Sequence, residues 1–308
     1  MHIAYKSEAS RGRRWQALCA EQAPERTFYL WPLETPAPDI HYLIAWQPPA
    51  DVYAHFPNLK VLFSVGAGVD QLALDALPGE LPVVRMIDPG LTQGMVEYVT
   101  CGVLALQRDL PAYLAQQREH RWQPRPQQPA GTTRVGIMGL GELGQAALAQ
   151  LQQLGFACQA WTRSPRSLAG VKVYRGADEL AEFLASTDIL VCLLPLTEQT
   201  RGILNTALFR QLPEQAGLVH VGRGAQLVGP DLLAALDDHR LKAAIVDVVD
   251  PEPLPDTDPL WAHPQLWLTP HIASATQADT AFQAILDNIR RYEHSQPMHG
   301  LIDRERGY

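Results

Sequence analysis

The segment Arg134-Val-Gly-Ile-Met-Gly-Leu-Gly-Glu-Leu-Gly144 constrains the fold of this chain more than any other stretch of it. An apolar run of strand length ends in Gly139-Leu-Gly141-Glu142-Leu143-Gly144, a GxGxxG. A helix-period stretch follows, in which Leu143, Ala147, Leu151 and Leu154 recur at i, i+4, i+8 and i+11 and are predicted to share one buried face. In such a strand–turn–helix the first glycine permits the tight turn. The second lets the main chain approach a pyrophosphate, and the third lets helix pack closely on strand. The helix N-terminus then offers N–H groups to an anion. A merely glycine-rich turn would need neither flanking element, so the pattern predicts a dinucleotide-binding domain of the parallel α/β class.

The same alternation runs through the rest of the chain. Strands are predicted at His2–Tyr5, Phe28–Trp31, Tyr42–Trp46, Val61–Val65 and Val83–Met86, with a long helix from about Gly94 to Arg118. A second series follows at Val135–Met138, Phe156–Trp161, Ile189–Leu194, Leu218–Val221, Ile245–Val249 and Leu266–Leu268. Pro230 suits the first turn of a helix carrying Leu232, Leu233 and Leu236, and a last helix is expected over about Thr276–Tyr292 with Ala281, Ile285 and Ile289 in line. At 308 residues the length predicts two domains. Judged from the residues alone, the stretch Gln123-Pro-Arg-Pro-Gln-Gln-Pro129 has the composition of a crossing between them.

Composition narrows the class. A net charge of −8 leaves no basic face for phosphates, which excludes general nucleic-acid binding. The four cysteines are far apart, with no CxxC pair and no metal-ligand spacing, so free thiols in a reducing compartment and no metal site are expected. The start Met1-His-Ile-Ala-Tyr-Lys6 lacks the pattern of a signal peptide, and the apolar runs fall far short of the roughly 20 residues a bilayer needs. A cytoplasmic protein without membrane partners is expected.

The ribose should be read about 20 residues beyond the glycines, at the end of the next strand. That strand ends Trp161-Thr162-Arg163-Ser164-Pro165-Arg166, with no acidic side chain to take a 2′-hydroxyl. Thr162 stands where the carboxylate would be, and Arg163 and Arg166 beside Ser164 suit a 2′-phosphate. The expected cofactor is therefore NADPH, with NADH the weaker alternative.

From end to end the chain resembles the D-2-hydroxyacid dehydrogenases, and within them the glyoxylate/hydroxypyruvate reductase A type. The resemblance rests on Gly66-Ala67-Gly68-Val-Asp70, the GxGxxG, Leu193-Leu194-Pro195 with Thr197 and Thr200, and Gly222-Arg223-Gly224. It continues through Asp247-Val-Val-Asp-Pro-Glu252-Pro-Leu254, Thr269-Pro-His271-Ile-Ala273 and the tail Asp303-Arg-Glu-Arg-Gly-Tyr308. It implies two doubly wound parallel-sheet domains, Rossmann-like and flavodoxin-like, with a substrate cleft between them. Residues 1–98 plus 275–308 would form the substrate domain and 99–274 the dinucleotide-binding domain. A homodimer is implied as well. Two positions depart from the family: His220 stands where Asn is frequent, and Gly222 where Ala or Ser is common.

Reduction of a 2-oxo acid needs a cation for the carboxylate, a proton for the carbonyl oxygen and a means of keeping the proton donor charged. The resemblance assigns these roles to Arg223, His271 and Glu252. Arg223 offers a planar fork that matches a carboxylate. Taken singly, each would pass for an ordinary turn or loop residue; the catalytic reading comes from their joint occurrence in family motifs and order. The backbone of Gly66, Ala67 and Gly68 is expected to cradle the carboxylate, and Trp46 to close over the substrate or else to fill the core. Leu194, Pro195, Val221 and Asp247 are expected beside the cofactor, Asp247 near the nicotinamide carboxamide by the family pattern or else, as a strand-end carboxylate, capping a helix. The implied reaction is NADPH-dependent reduction of glyoxylate and hydroxypyruvate to glycolate and D-glycerate. The alternatives are an NAD-linked relative serving another acid, and a dinucleotide-sensing scaffold on the same fold.

Overall fold

The computed structural model describes residues 1–33, 39–163 and 166–304. Its strands are β1 (His2–Lys6), β2 (Thr27–Leu30), β3 (Ile40–Ala45), β4 (Val61–Ser64), β5 (Val83–Val84), β6 (Arg134–Met138), β7 (Ala157–Thr162), β8 (Lys172–Arg175), β9 (Ile189–Cys192), β10 (Ala216–His220), β11 (Leu241–Val246) and β12 (Leu266–Leu268). Its α-helices are α1 (Ala9–Gln22), α2 (Val52–His55), α3 (Pro89–Gln107), α4 (Leu110–Arg118), α5 (Glu142–Gln153), α6 (Leu180–Ala185), α7 (Thr206–Phe209), α8 (Gly229–Asp237) and α9 (Ala278–Glu293). The chain separates into two compact units, Met1–Leu91 with Ala275–Tyr308, and Thr92–Ser274. The first division falls inside α3, and the exposed Gln123–Pro129 stretch lies within the second unit.

In the first unit five parallel strands run in the order β2-β1-β3-β4-β5, the flavodoxin-like order. β4 is buried along its whole length and β3 along all but His41, as continuous apolar strands covered on both faces must be. Helix α9 brings the far end of the chain into this unit. Its row Ala281, Ile285 and Ile289 is buried together with Phe282 and Leu286. Trp15 of α1 is fully buried against it, its indole 6.1 Å from the Phe282 ring and its Nε1 donating to the Ala278 carbonyl at 2.7 Å.

The second unit holds seven parallel strands in the order β12-β11-β10-β9-β6-β7-β8. Its first strand, β6, is central, and the chain reverses its direction of winding between β6 and β9. Open α/β sheets bind ligands at the carboxyl ends of the strands flanking such a point. Two parallel α/β units of these orders are the fold class the sequence predicts.

Three local expectations are corrected. The helix predicted over Gly94–Arg118 is two helices, because Asp109 takes φ 55° and Pro111, in the first turn of α4, has no N–H with which to continue the ladder. Leu154 leaves the buried face: α5 ends at Gln153, Leu154 is 41% exposed and the chain exits through Gly155 at φ 85°. The buried residues of α5 are Gly144, Ala147, Leu148 and Leu151, so Leu148 joins the core in place of Leu154. Strand β8 was not expected; it pairs only with β7 and buries only Tyr174, too little apolar pattern to announce a strand. Among the described residues no helix is long and apolar enough to cross a membrane.

Candidate active site

The glycine turn joins β6 to α5 at the carboxyl edge of the second sheet. Gly139 has φ 104°, and a Cβ there would lie 2.7 Å from the Leu193 carbonyl oxygen. A Cβ on Gly144 would lie 2.0 Å from the Gly139 oxygen, so the third glycine is what lets α5 sit down on the turn. Gly141 differs: it is exposed, a Cβ on it would meet nothing within 4 Å, and as the residue capping α5 it supplies no side-chain cap to the helix N–H groups. Open space before an uncapped helix N-terminus fits a pyrophosphate. Glu142 is exposed in the first turn of α5 and Leu143 packs against the core.

Thr162 ends β7, 8% exposed, and Arg163 and Arg166 beyond it are exposed. Arg166 reaches back to the glycine turn, its Nη1 donating to the Leu140 carbonyl at 2.7 Å. Arg163 Nη1 lies 3.5 Å from Gln199 Oε1. Ser164 lies outside the described residues, as does the end of the chain beyond Arg304. Leu194 and Val221 are buried at the carboxyl ends of β9 and β10, with Pro195 half-buried after them. These groups line the same edge as the glycine turn, as a bound dinucleotide requires.

The second unit also assembles the predicted triad's loops. Glu252 Oε2 accepts from His271 Nδ1 at 2.8 Å, and its Oε1 accepts the Val249 N–H at 3.2 Å. The two side chains are 39% and 37% exposed, so the pair stands open to solvent. With Nδ1–H donated to the carboxylate, Nε2 is the ring atom free for proton exchange with a substrate. Arg223 follows β10, half-buried, with Nη1 donating to the Gly222 carbonyl at 2.8 Å. A Cβ on Gly224 would fall 1.9 Å from the Val249 carbonyl, so the arginine loop lies directly against the loop that carries Glu252.

His271 itself has φ 55°, a left-handed conformation uncommon for a side chain of this kind. Asp247 holds it there. The Asp247 main-chain oxygen accepts the His271 N–H at 2.9 Å, while its carboxylate, 1% exposed, accepts the Ile272 and Ala273 N–H groups at 2.8 Å each. Thr269 Oγ1 donates to Asp247 Oδ1 at 2.6 Å and is met by the Tyr98 hydroxyl at 2.5 Å. Burial of Tyr98 pushes its pKa up to about 12, so the phenol stays protonated and donates. Asp247 thus spends its oxygens on the loop that presents His271. Tyr98 escaped the sequence reading because nothing in a helical stretch marks which residue meets a loop 171 positions away.

In the first unit Gly66, Ala67 and Gly68 follow β4. Gly66 N–H donates to Ser64 Oγ at 3.2 Å, and Ser64 Oγ donates to the Gly68 carbonyl at 3.1 Å. Among the described residues, the amides of Ala67 and Gly68 have no partner. Trp46, just beyond β3, is 41% exposed rather than a core residue, and its ring would lie 3.3 Å from a Cβ on Gly66. Among the described residues no group of three His, Cys, Asp or Glu side chains is placed to hold a metal ion.

The second unit is thus a doubly wound sheet whose carboxyl edge carries a glycine turn, a histidine–carboxylate pair and an arginine. Residues 101–273 match the family of the D-isomer specific 2-hydroxyacid dehydrogenase NAD binding domain. A relative called glyoxylate/hydroxypyruvate reductase A from Klebsiella pneumoniae (strain 342) is 41% identical over 273 residues, 87% of each chain. Among solved structures, a D-isomer specific 2-hydroxyacid dehydrogenase of Xanthobacter autotrophicus Py2 in complex with NADPH and MES is 37% identical with a TM-score of 0.92, covering 100% of this chain and 99% of that one. An NADPH-dependent glyoxylate/hydroxypyruvate reductase of Sinorhizobium meliloti in complex with NADP and sulfate is 35% identical with a TM-score of 0.90 at the same coverage. The chain belongs to the D-isomer specific 2-hydroxyacid dehydrogenase family.

Proposed function

We propose that this protein reduces small 2-oxo acids, glyoxylate and hydroxypyruvate foremost, to glycolate and D-glycerate with NADPH. The observation that carries the reading is the 2.8 Å pair of His271 and Glu252, held against the Arg223 loop at the edge that bears the glycine turn. When bound, the reduced nicotinamide supplies the hydride. The Gly139–Gly144 turn would hold the pyrophosphate, with Leu194, Pro195 and Val221 along the edge, and Arg163 and Arg166 the 2′-phosphate that Thr162 does not repel. The relatives crystallised with NADPH or NADP support that choice.

The remaining chemistry falls to side chains. Arg223 neutralises the substrate carboxylate and draws charge from the neighbouring carbonyl oxygen. Within the first unit, the amides of Ala67 and Gly68 are the groups suited to a carboxylate, and Trp46 is the side chain suited to limiting substrate size. His271 Nε2 gives its proton to the carbonyl oxygen as that oxygen becomes an alkoxide. The Glu252 carboxylate balances the imidazolium before transfer and keeps the ring oriented after it. In oxidation the same nitrogen takes the proton back. Asp247, Thr269 and Tyr98 hold the loop in place. The exposed Leu104, Leu110, Leu114 and Trp122 support a homodimer, and a cytoplasmic location goes with the free thiols.

A matrix of 2-oxo acids against NADPH and NADH, read by cofactor absorbance, tests the reading. Glyoxylate and hydroxypyruvate should lead, with an NADPH preference of roughly 10- to 150-fold, the worth of one arginine–phosphate contact. Thr162→Asp combined with Arg163→Ala should shift preference toward NADH. His271→Ala and Arg223→Ala should each lower kcat/KM by at least about 10²-fold. Near-normal turnover by His271→Ala, or faster reduction of phenylpyruvate than of glyoxylate, would refute the corresponding assignment.

A further inference from the structure

The main chain of Arg223 is gripped from both sides by buried polar side chains that the reaction itself does not call for. His220, the last residue of β10, is fully buried, and its Nε2 lies 3.0 Å from the Arg223 carbonyl oxygen. A carbonyl only accepts, so Nε2 carries the hydrogen and Nδ1 is a bare acceptor; Nδ1 is buried and has no partner. On the other side Gln226, also fully buried, accepts the Arg223 N–H on Oε1 at 2.8 Å. Its Nε2 donates to the carbonyls of Leu194 and Pro195 at 3.1 and 3.0 Å, which ties the arginine loop to the end of β9.

The flanking glycines show how tight the grip is. A Cβ on Gly222 would lie 2.2 Å from Gln226 Oε1, and one on Gly224 1.9 Å from the Val249 carbonyl. A position that served packing alone would be better filled by an apolar side chain, because the buried imidazole leaves one nitrogen unsatisfied. Burial, the main cause, together with the nearby Arg223 charge pushes the His220 pKa down to about 4, although its hydrogen bond to the Arg223 carbonyl works the other way. The ring is therefore neutral at ordinary pH and holds one fixed donor pattern.

We propose that His220 and Gln226 are positioning residues for Arg223, fixing its carbonyl and its amide so that the guanidinium is presented to the substrate carboxylate in one direction. This rests on the reading that Arg223 binds that carboxylate. The test is a double-mutant cycle on the full chain. His220→Leu should raise KM for glyoxylate and cut kcat/KM by about 10-fold or more, the scale of a small misplacement. NADPH affinity, followed by fluorescence, should stay within about 2-fold, because His220 bonds to the arginine loop and not to the glycine turn. His220→Gln, whose amide can stand where Nε2–H stands, should recover most of the loss. On an Arg223→Ala background, His220→Leu should cost nothing further.

Near-normal turnover by Arg223→Ala alone would sink the functional reading. A crippled Arg223→Ala in which His220→Leu still costs its full factor would overturn the positioning proposal and leave that reading standing. So would a His220→Leu protein whose glyoxylate KM is unchanged. If the leucine variant does not fold, His220→Phe, planar and close in footprint to imidazole, carries the same cycle.

Discussion

Acidification should destabilise the second unit through His220 in particular. Its pKa is about 4 in the folded chain against an ordinary 6.5, because full burial penalises the imidazolium. Between those values the unfolded chain holds the extra proton and the folded chain does not, so the contribution is intact above pH 6.5 and is lost as pH falls toward 4. At about 1.4 kcal/mol per pH step, with the ends of the titration rounded off, the loss between pH 7 and pH 4 comes to about 3 kcal/mol. Other acid-sensitive groups contribute as well, and comparison with His220→Leu cancels them. The assay is hydrogen exchange of peptides covering β10, which reads this unit alone and does not require both units to unfold together. Relative to His220→Leu, protection of β10 in the unmutated protein should fall by about a hundredfold over that pH range. Parallel declines in the two proteins would show that the folded imidazole takes its proton near the ordinary value, and the burial argument would then be wrong.

The glycine turn separates two effects that one motif usually blurs. Gly144→Ala, with its Cβ driven into the Gly139 carbonyl, should cost about 1–3 kcal/mol or more in thermal or urea unfolding and weaken NADPH binding with it. Gly141→Ala meets nothing in the protein, so its unfolding midpoint should stay unchanged while its NADPH affinity, by fluorescence titration, falls about 10-fold or more; an unaltered affinity would remove the pyrophosphate from that turn. Trp46→Ala should leave NADPH affinity unchanged and relax selectivity toward larger 2-oxo acids by roughly 10- to 200-fold, the worth of a methylene-sized restriction, as ratios of kcat/KM would report.

Periodicity along the chain was enough to read out both parallel sheets apart from β8, which buries only Tyr174. Strands covered on both faces, such as β9, must be continuously apolar, and that pattern is local. The glycine turn was equally legible, since its function depends on missing side chains at fixed spacing. The catalytic residues were a different matter: Arg223, Glu252 and His271 have no distinguishing local pattern, and only the resemblance of whole motifs singled them out.

Tertiary structure alone decided what depends on partners distant in sequence. The helix breaks at Asp109 where its carboxylate meets Arg125 at 3.0 Å and Lys242, 133 residues away, at 2.9 Å. That Asp247 supports the His271 loop became visible only once its oxygens were seen to accept from Thr269, Ile272 and Ala273. The grip of Gln226 on Arg223 runs on to carbonyls 31 and 32 residues earlier. A sequence pattern reports which way a side chain faces within its own helix or strand, because that follows from the backbone repeat. It carries no record of which donor meets which acceptor across elements, because those pairings exist only after the sheet has brought the strand ends together.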